Sequence, residues 1–267
     1  MLRAAGIKEN DRLITALTER LGVVRAFANG AKRPKSPLHG ACQPFAHGEL
    51  ELTRRRDTYV VTGAQARGVF FEGLASELSR LALAGYFAAL CEELCPKEEP
   101  APEHLRLILN ALHFLAGGLR AQRLLKAVVE LRLLCLAGYM PDLSGDGAYL
   151  DCARGVLVPD AGQGKALLTP PVREAMRFIC EAPLERAFRF TLPEKEMQAL
   201  SFVTQTYLYH QTGRRFEELG YWEGVMRDET PNAVTLQAIS DVEQRKGLHG
   251  PFDSVEALMK DLNVEDT

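Results

Sequence analysis

The hydrophobic period of this chain changes once, near residue 67, from two to about 3.6, and no single regular fold accommodates both periods. Before that point the text is short and alternating, at residues 12–17, 22–28, 48–53 and 57–62, with Gly, Asn and Pro between the runs. Alternation at such close spacing predicts a small antiparallel barrel or sheet. The segment from Gly30 to Pro44, holding Pro34, Pro37 and Gly40, interrupts that meander as a loop. After residue 67, Leu74, Leu78, Leu81, Leu83 and Phe87 recur at helical spacing through Gly68 to Cys95, and Pro96 ends the run. Further helices are expected at 102–116, 120–138, 171–180 and 193–211, the last two opened by proline near the first turn. Between them, residues 141–169 hold five glycines and read as a loop-rich insert.

A chain of 267 residues with 46% hydrophobic content buries a core large enough for one large domain or two ordinary ones. No apolar run approaches the roughly eighteen residues a bilayer crossing needs. The first residues, Met1 to Asp11, lack the basic start and apolar stretch of a signal peptide, so a cytoplasmic location with no membrane partner is expected. Six cysteines, at 42, 91, 95, 135, 152 and 180, fit no compact disulfide framework and read as free thiols in a reducing compartment. Cys91 and Cys95, one helical turn apart, admit a metal or redox pair, but their amphipathic surroundings favour core thiols.

The net charge of −3 conceals an asymmetry. Residues 1–67 carry twelve Lys/Arg against six Asp/Glu, while residues 228–267 carry three against nine. A basic head and an acidic tail flank a near-neutral body, a distribution that hints at a polyanion bound by the head. Lys32, Arg33 and Lys35 put three cations within four positions on a loop held by Gly30 and Pro34. Arg54, Arg55 and Arg56 make a second cluster at the turn between two expected strands, where Arg54 and Arg56 share a face if the strand runs that far. That triple reads either as a ligand-binding tip or as a solvated hairpin end. No HExxH, P-loop, GxSxG or clustered acidic metal site occurs, so an enzyme is not expected. Asp142, Asp146 and Asp151 read as turn residues in the glycine-rich insert.

Several strings taken together carry a family resemblance. Residues 9–15 (Glu-Asn-Asp-Arg-Leu-Ile-Thr), residues 30–36 (Gly-Ala-Lys-Arg-Pro-Lys-Ser), Gln43-Pro44-Phe45 and residues 49–52 resemble the N-terminal domain of the RecO family of bacterial recombination mediators. Residues 130–134, 138–143 and 183–186, then Tyr209-His210 and Gly213-Arg214-Arg215, resemble that family's helical part. The resemblance runs in order from about residue 1 to 225. It implies an α+β chain: an N-terminal OB-fold β-barrel at residues 1–66, then an all-α helical domain at 67–227 with a zinc-finger-like insert at 141–169. It also implies a nucleoid-associated, non-enzymatic protein that binds single- and double-stranded DNA, anneals strands, and pairs with RecR. Such proteins recognise the acidic C-terminal tail of single-stranded DNA-binding protein, and with RecR they help load RecA on coated strands.

An OB barrel holds single strands by a positive groove along the phosphates and by aromatic faces that stack bases. On that reading the DNA-binding candidates are Lys32, Arg33, Lys35, Arg54, Arg55 and Arg56, with Arg12 and Arg25 behind them. Phe27, Phe45 and Tyr59 fit barrel core better than stacking platforms, so phosphate contact should dominate. Arg123 and Arg132 are the candidates for a basic lip that receives the acidic partner tail.

The chain departs from the family in three places. The insert carries one cysteine, Cys152, and no CxxC, whereas a tetrahedral zinc needs four Cys or His ligands, so no cofactor is expected. Family members open with several more residues of the first strand before the position of Leu2-Arg3, which predicts an exposed edge on that strand. Residues 230–267 resemble the C-terminal half of RelB/DinJ-type antitoxins, with Val255, Leu258, Met259 and Leu262 on one face of an expected helix. That acidic, amphipathic tail implies either a RelE/YafQ-type toxin as an alternative partner or a plain extension.

Overall fold

The computed structural model describes residues 1–228. The acidic tail expected over 228–267, with its antitoxin-like text, lies outside the described residues apart from Asp228, which ends the last helix. Two parts follow one another: a five-stranded barrel to Val69 and a longer helical body from Phe71.

The strands are β1 (Arg3–Gly6), β2 (Arg12–Thr18), β3 (Gly22–Ala28), β4 (Ala46–Arg55) and β5 (Thr58–Val69), in sheet order β1-β2-β3-β5-β4. Neighbours are antiparallel except β3 and β5, which run parallel through Ala26↔Tyr59 and Phe27↔Val60. This is the OB topology, and two register shifts in the β4–β5 ladder, at His47/Gly48 and Glu51/Leu52, give the long hairpin the bend a small barrel needs. The short β1 does not leave the expected open edge at its start. The Met1 amine donates to the Ala46 carbonyl at 2.7 Å, and the Phe45 amide donates to the Met1 carbonyl at 2.9 Å, which joins the beginnings of β1 and β4.

The barrel interior is built from small side chains. Ile14, Ala26, Ala28, Ala31, Cys42 and Val61 are buried together with Leu38. Leu38 belongs to α1 (Leu38–Ala41), one helical turn inside the segment read as a loop, and it plugs the barrel between β3 and β4. Tyr59, with Leu50 and Leu52, packs on the same cluster, so its ring is core, as is the buried Phe45.

The helical body holds α2 (Phe71–Ala75), α3 (Leu78–Leu94), α4 (Pro102–Ala116), α5 (Gln122–Leu136), α6 (Pro170–Glu181), α7 (Leu184–Ala187), α8 (Glu194–Thr212) and α9 (Glu217–Asp228). β5 continues to Val69, so the first helix starts later than the period change suggests, and Ser76 and Glu77 divide it from α3. α3 and α5 are buried nearly all round rather than along one stripe, as central helices of a bundle are. Their depth admits one polar hub. Lys126 Nζ donates to Glu130 at 3.0 Å and to the Ser201 carbonyl at 2.9 Å, and Glu130 also accepts from Tyr86 and Thr204 hydroxyls at 2.6 Å. Both charges are fully buried, and this closed set of hydrogen bonds is what makes their burial tolerable.

The insert is not merely loop. It forms a three-stranded antiparallel sheet of β6 (Tyr149–Asp151), β7 (Val156–Val158) and β8 (Lys165–Leu167), in order β7-β6-β8. Strands of three residues show too little alternation to be read from sequence, and the five glycines masked them.

Backbone hydrogen bonds tie the barrel to the body. Val23 N donates to Pro96 O, Glu98 N to Leu21 O and Ala101 N to Glu19 O, all at 2.8–2.9 Å. The approach requires Gly22, at φ +57°, because a Cβ there would lie 2.1 Å from the Pro96 oxygen. Arg3 of β1 adds ion pairs to Glu92 on α3 and Glu218 on α9.

Candidate nucleic-acid interface

The expected cations fall into two groups on the barrel rather than one track. Lys32, Arg33 and Lys35 follow the C-terminal end of β3, beside the start of β2. Arg54, Arg55 and Arg56 sit at the β4–β5 turn, which the parallel register Ala26↔Tyr59 places level with the middle of β3. Arg25, exposed on β3, precedes that register pair by one residue.

The first group rests on a rigid base. The loop between β1 and β2 and the loop after β3 are joined by three hydrogen bonds: Gly30 N to Asp11 Oδ1 at 2.8 Å, Lys32 N to the Asn10 carbonyl at 3.0 Å, and Lys32 Nζ to the Lys8 carbonyl at 2.9 Å. Gly30 turns the chain at φ +71°. Arg33 and Lys35 are exposed, and neither forms an ion pair among the described residues. Lys32 meets a neutral carbonyl rather than a carboxylate, so its charge is also uncompensated.

The second group is uneven. β4 ends at Arg55, and Arg56 lies in the turn at φ +54°, so Arg54 and Arg56 do not share a strand face. Arg54 is drawn back: it pairs with Glu98 at 3.6 Å, and its guanidinium lies 5.8 Å from the centre of the Tyr59 ring. Arg55 and Arg56 are left exposed at the tip. Arg12 is half-buried and donates to the Cys42 carbonyl at 2.8 Å, where it holds the end of α1. Burial raises the Cys42 thiol, and Arg12 partly offsets that.

Lys8 was missed by the sequence reading. It is exposed in the β1–β2 loop, and in OB barrels the loops after strands one and four border the ligand face, which is the signal that points to it. Phe27, Phe45 and Tyr59 are the aromatics of residues 1–69, and none is exposed. This surface therefore offers cations without exposed aromatic rings, an arrangement chemically suited to phosphate rather than to base contacts.

On the helical body the two basic-lip candidates are engaged. Arg132 donates from Nη1 to the Cys180 carbonyl at 3.0 Å and from Nη2 to the Ala182 carbonyl, clamping the C-terminal end of α6 to α5. Arg123 is about a third exposed, with Glu194 at 3.7 Å.

The zinc implied for the insert does not fit its donors. Cys152 is fully buried, its thiol pushed up to about 11 by burial and by Asp151, and residues 136–179 hold no other Cys or His. Among the described residues no group of three His, Cys, Asp or Glu side chains could hold a metal ion. The insert is tied to the helical body by Gln211, which donates to the Cys152 carbonyl at 2.7 Å, and by Arg173 and Arg177, which donate to the Leu143 carbonyl. No described helix is long and apolar enough to cross a membrane.

Comparison with known proteins agrees with this architecture. Residues 1–70 match the family model described as Recombination protein O N terminal, and residues 75–219 match Recombination protein O C terminal. The chain is 25% identical over 234 residues to a DNA repair protein RecO of Acetivibrio thermocellus, covering 83% of this chain and 93% of that protein. It is 36% identical over 162 residues to the RecO of Desulforudis audaxviator, covering 60% of this chain and 61% of that protein. The RecO of Symbiobacterium thermophilum is 25% identical over 233 residues, 81% of this chain and 92% of its own length. The N-terminal model falls on the barrel and the C-terminal model on the helical body with its insert, and on that correspondence the chain belongs to the RecO family.

Proposed function

We propose that the chain is a DNA repair and recombination mediator that works without bond-breaking chemistry. Its barrel holds single- and double-stranded DNA through the phosphate backbone and brings complementary strands together. Its helical body docks RecR and the acidic C-terminal tail of single-stranded DNA-binding protein, so that RecA is loaded on the coated strand. The observation that carries the reading is the set Lys32, Arg33 and Lys35: three cations without a carboxylate partner among the described residues, on loops fixed by Asp11, Asn10 and Lys8. Cations carried on a pre-fixed loop cost little loop freedom when a polyanion arrives, and counterions released from the strand supply the driving force. Arg25, Arg55 and Arg56 offer a second, separate contact on the barrel, while Arg12 and Arg54 hold the barrel that presents both. Arg123 is the better candidate for the acidic tail, since Arg132 already serves α6. The insert keeps its shape through hydrogen bonds and a small core, without metal.

The test is binding of a labelled oligonucleotide by the purified full chain across a salt series, with annealing of complementary strands followed in parallel. The expected result is a linear fall of log affinity with log salt and faster annealing than the strands alone show. Affinity that does not depend on salt would sink the phosphate reading.

A further inference from the structure

We propose that Cys135 and Cys180 are a modification site: a thiol pair that a hydroperoxide oxidises to a disulfide between the ends of α5 and α6. The two sulfur atoms lie 3.6 Å apart, within hydrogen-bond distance, although 45 positions separate the residues in sequence. Each cysteine sits in the last turn of its helix. Arg132, one turn before Cys135, fixes the register by donating to the carbonyls of Cys180 and Ala182. The thiols are therefore held together by the fold and need approach only to bonding distance, about 2.05 Å.

The pair is reachable and unequal. Cys135 is half-buried, whereas the other five cysteines are buried. Cys180 lines an open pocket of about 570 Å³ with Met140, Pro141, Leu143 and Arg177, and with the Cys135 sulfur 3.6 Å from that of Cys180 the pocket brings a small oxidant to the pair. The hydrogen bond with Cys180 and the nearby Arg132 charge hold the Cys135 thiol below its ordinary range, while the same hydrogen bond and burial push Cys180 up. Cys135 is thus the better thiolate, and the thiolate is the reactive form.

Two steps balance the chemistry. The Cys135 thiolate attacks the terminal oxygen of hydrogen peroxide, the O–O bond breaks, and with one proton the products are a sulfenic acid and water. The Cys180 sulfur then displaces the hydroxyl of that sulfenic acid, forming the S–S bond and releasing a second water. Overall, two thiols lose two electrons and two protons, and one peroxide becomes two waters. The loop so closed contains the whole insert, which lacks the metal donors that would brace it otherwise. A covalent tie at its base constrains the unfolded chain and stiffens the insert against α5 and α6.

The experiment treats the full chain with hydrogen peroxide, alkylates it, and maps peptides by mass spectrometry. A Cys135–Cys180 cross-linked peptide that disappears with dithiothreitol is expected, together with a dithiothreitol-reversible rise in melting temperature. In Cys180→Ser, a folded control by circular dichroism, dimedone should label Cys135. Recovery of both residues as alkylated thiols, or prior cross-linking of Cys91 to Cys95, overturns the proposal. If Cys180→Ser fails to fold, the wild-type peptide map alone decides.

Discussion

The Lys32 ammonium donates to the backbone carbonyl of Lys8 at 2.9 Å, so the strongest candidate cation for DNA is also a strut between two loops of the barrel. Its amide does the same through Asn10, and Asp11 completes the tie by accepting the Gly30 amide. One carboxylate thus positions a cluster of cations without neutralising any of them.

That division of roles gives a test with opposed outcomes. Asp11→Ala removes a negative charge beside the proposed phosphate path, which by electrostatics alone should tighten binding. Because the carboxylate fixes the Gly30 turn, we expect weaker oligonucleotide binding instead, with a stability loss of about 1 kcal/mol by urea titration. Tighter binding would show that the loop geometry is immaterial.

Arg132 and Arg123 should separate clearly in stability. Arg132→Ala leaves the α6 carbonyls of Cys180 and Ala182 without their charged donor and is expected to cost about 2 kcal/mol. Arg123→Ala removes a long, solvent-screened pair with Glu194 and should cost well under about 1 kcal/mol. Equal unfolding midpoints for the two variants would contradict the clamp.

Glu218 supplies a pH signature for the contact between β1 and the helical body. Burial pushes its carboxyl up, but the hydrogen bond and charge of Arg3, aided by a backbone hydrogen bond and Arg214, outweigh that and leave it below the ordinary 4.5. A carboxylate lowered in the folded state contributes stability that is present above that ordinary value and is lost as pH falls through the folded value. Wild type should therefore exceed Arg3→Gln in unfolding midpoint at neutral pH, with the gap closing below about pH 4.5. A gap constant down to pH 3 would place the stabilisation elsewhere.

Much of this molecule was legible in its text. The period change placed the barrel and the body, and prolines 171 and 193 marked helix starts to within one residue of those the structure shows, at Pro170 and Glu194. The insert's sheet was not legible, because three-residue strands between glycines carry almost no period. The partners of the arginines were not legible either. Nothing in the order of residues says that Arg54 meets Glu98, that Arg12 holds the Cys42 carbonyl, or that Arg132 holds the end of α6. Those contacts depend on how the β4–β5 hairpin bends and on where α5 passes α6, which are properties of packing. The same holds for Cys135 and Cys180, which sequence shows only as two scattered thiols.

The central claim is that cations on the barrel loops, above all Lys32, Arg33 and Lys35, contact a polynucleotide backbone. The most direct measurement is the salt dependence of single-strand binding for wild type and for the variant Lys32→Glu/Arg33→Glu/Lys35→Glu, each shown to be folded by circular dichroism. The account predicts a large loss of affinity at low salt and a log–log salt slope shallower by about 2, or roughly 0.7 for each phosphate contact removed. An unchanged affinity with an unchanged slope would contradict it.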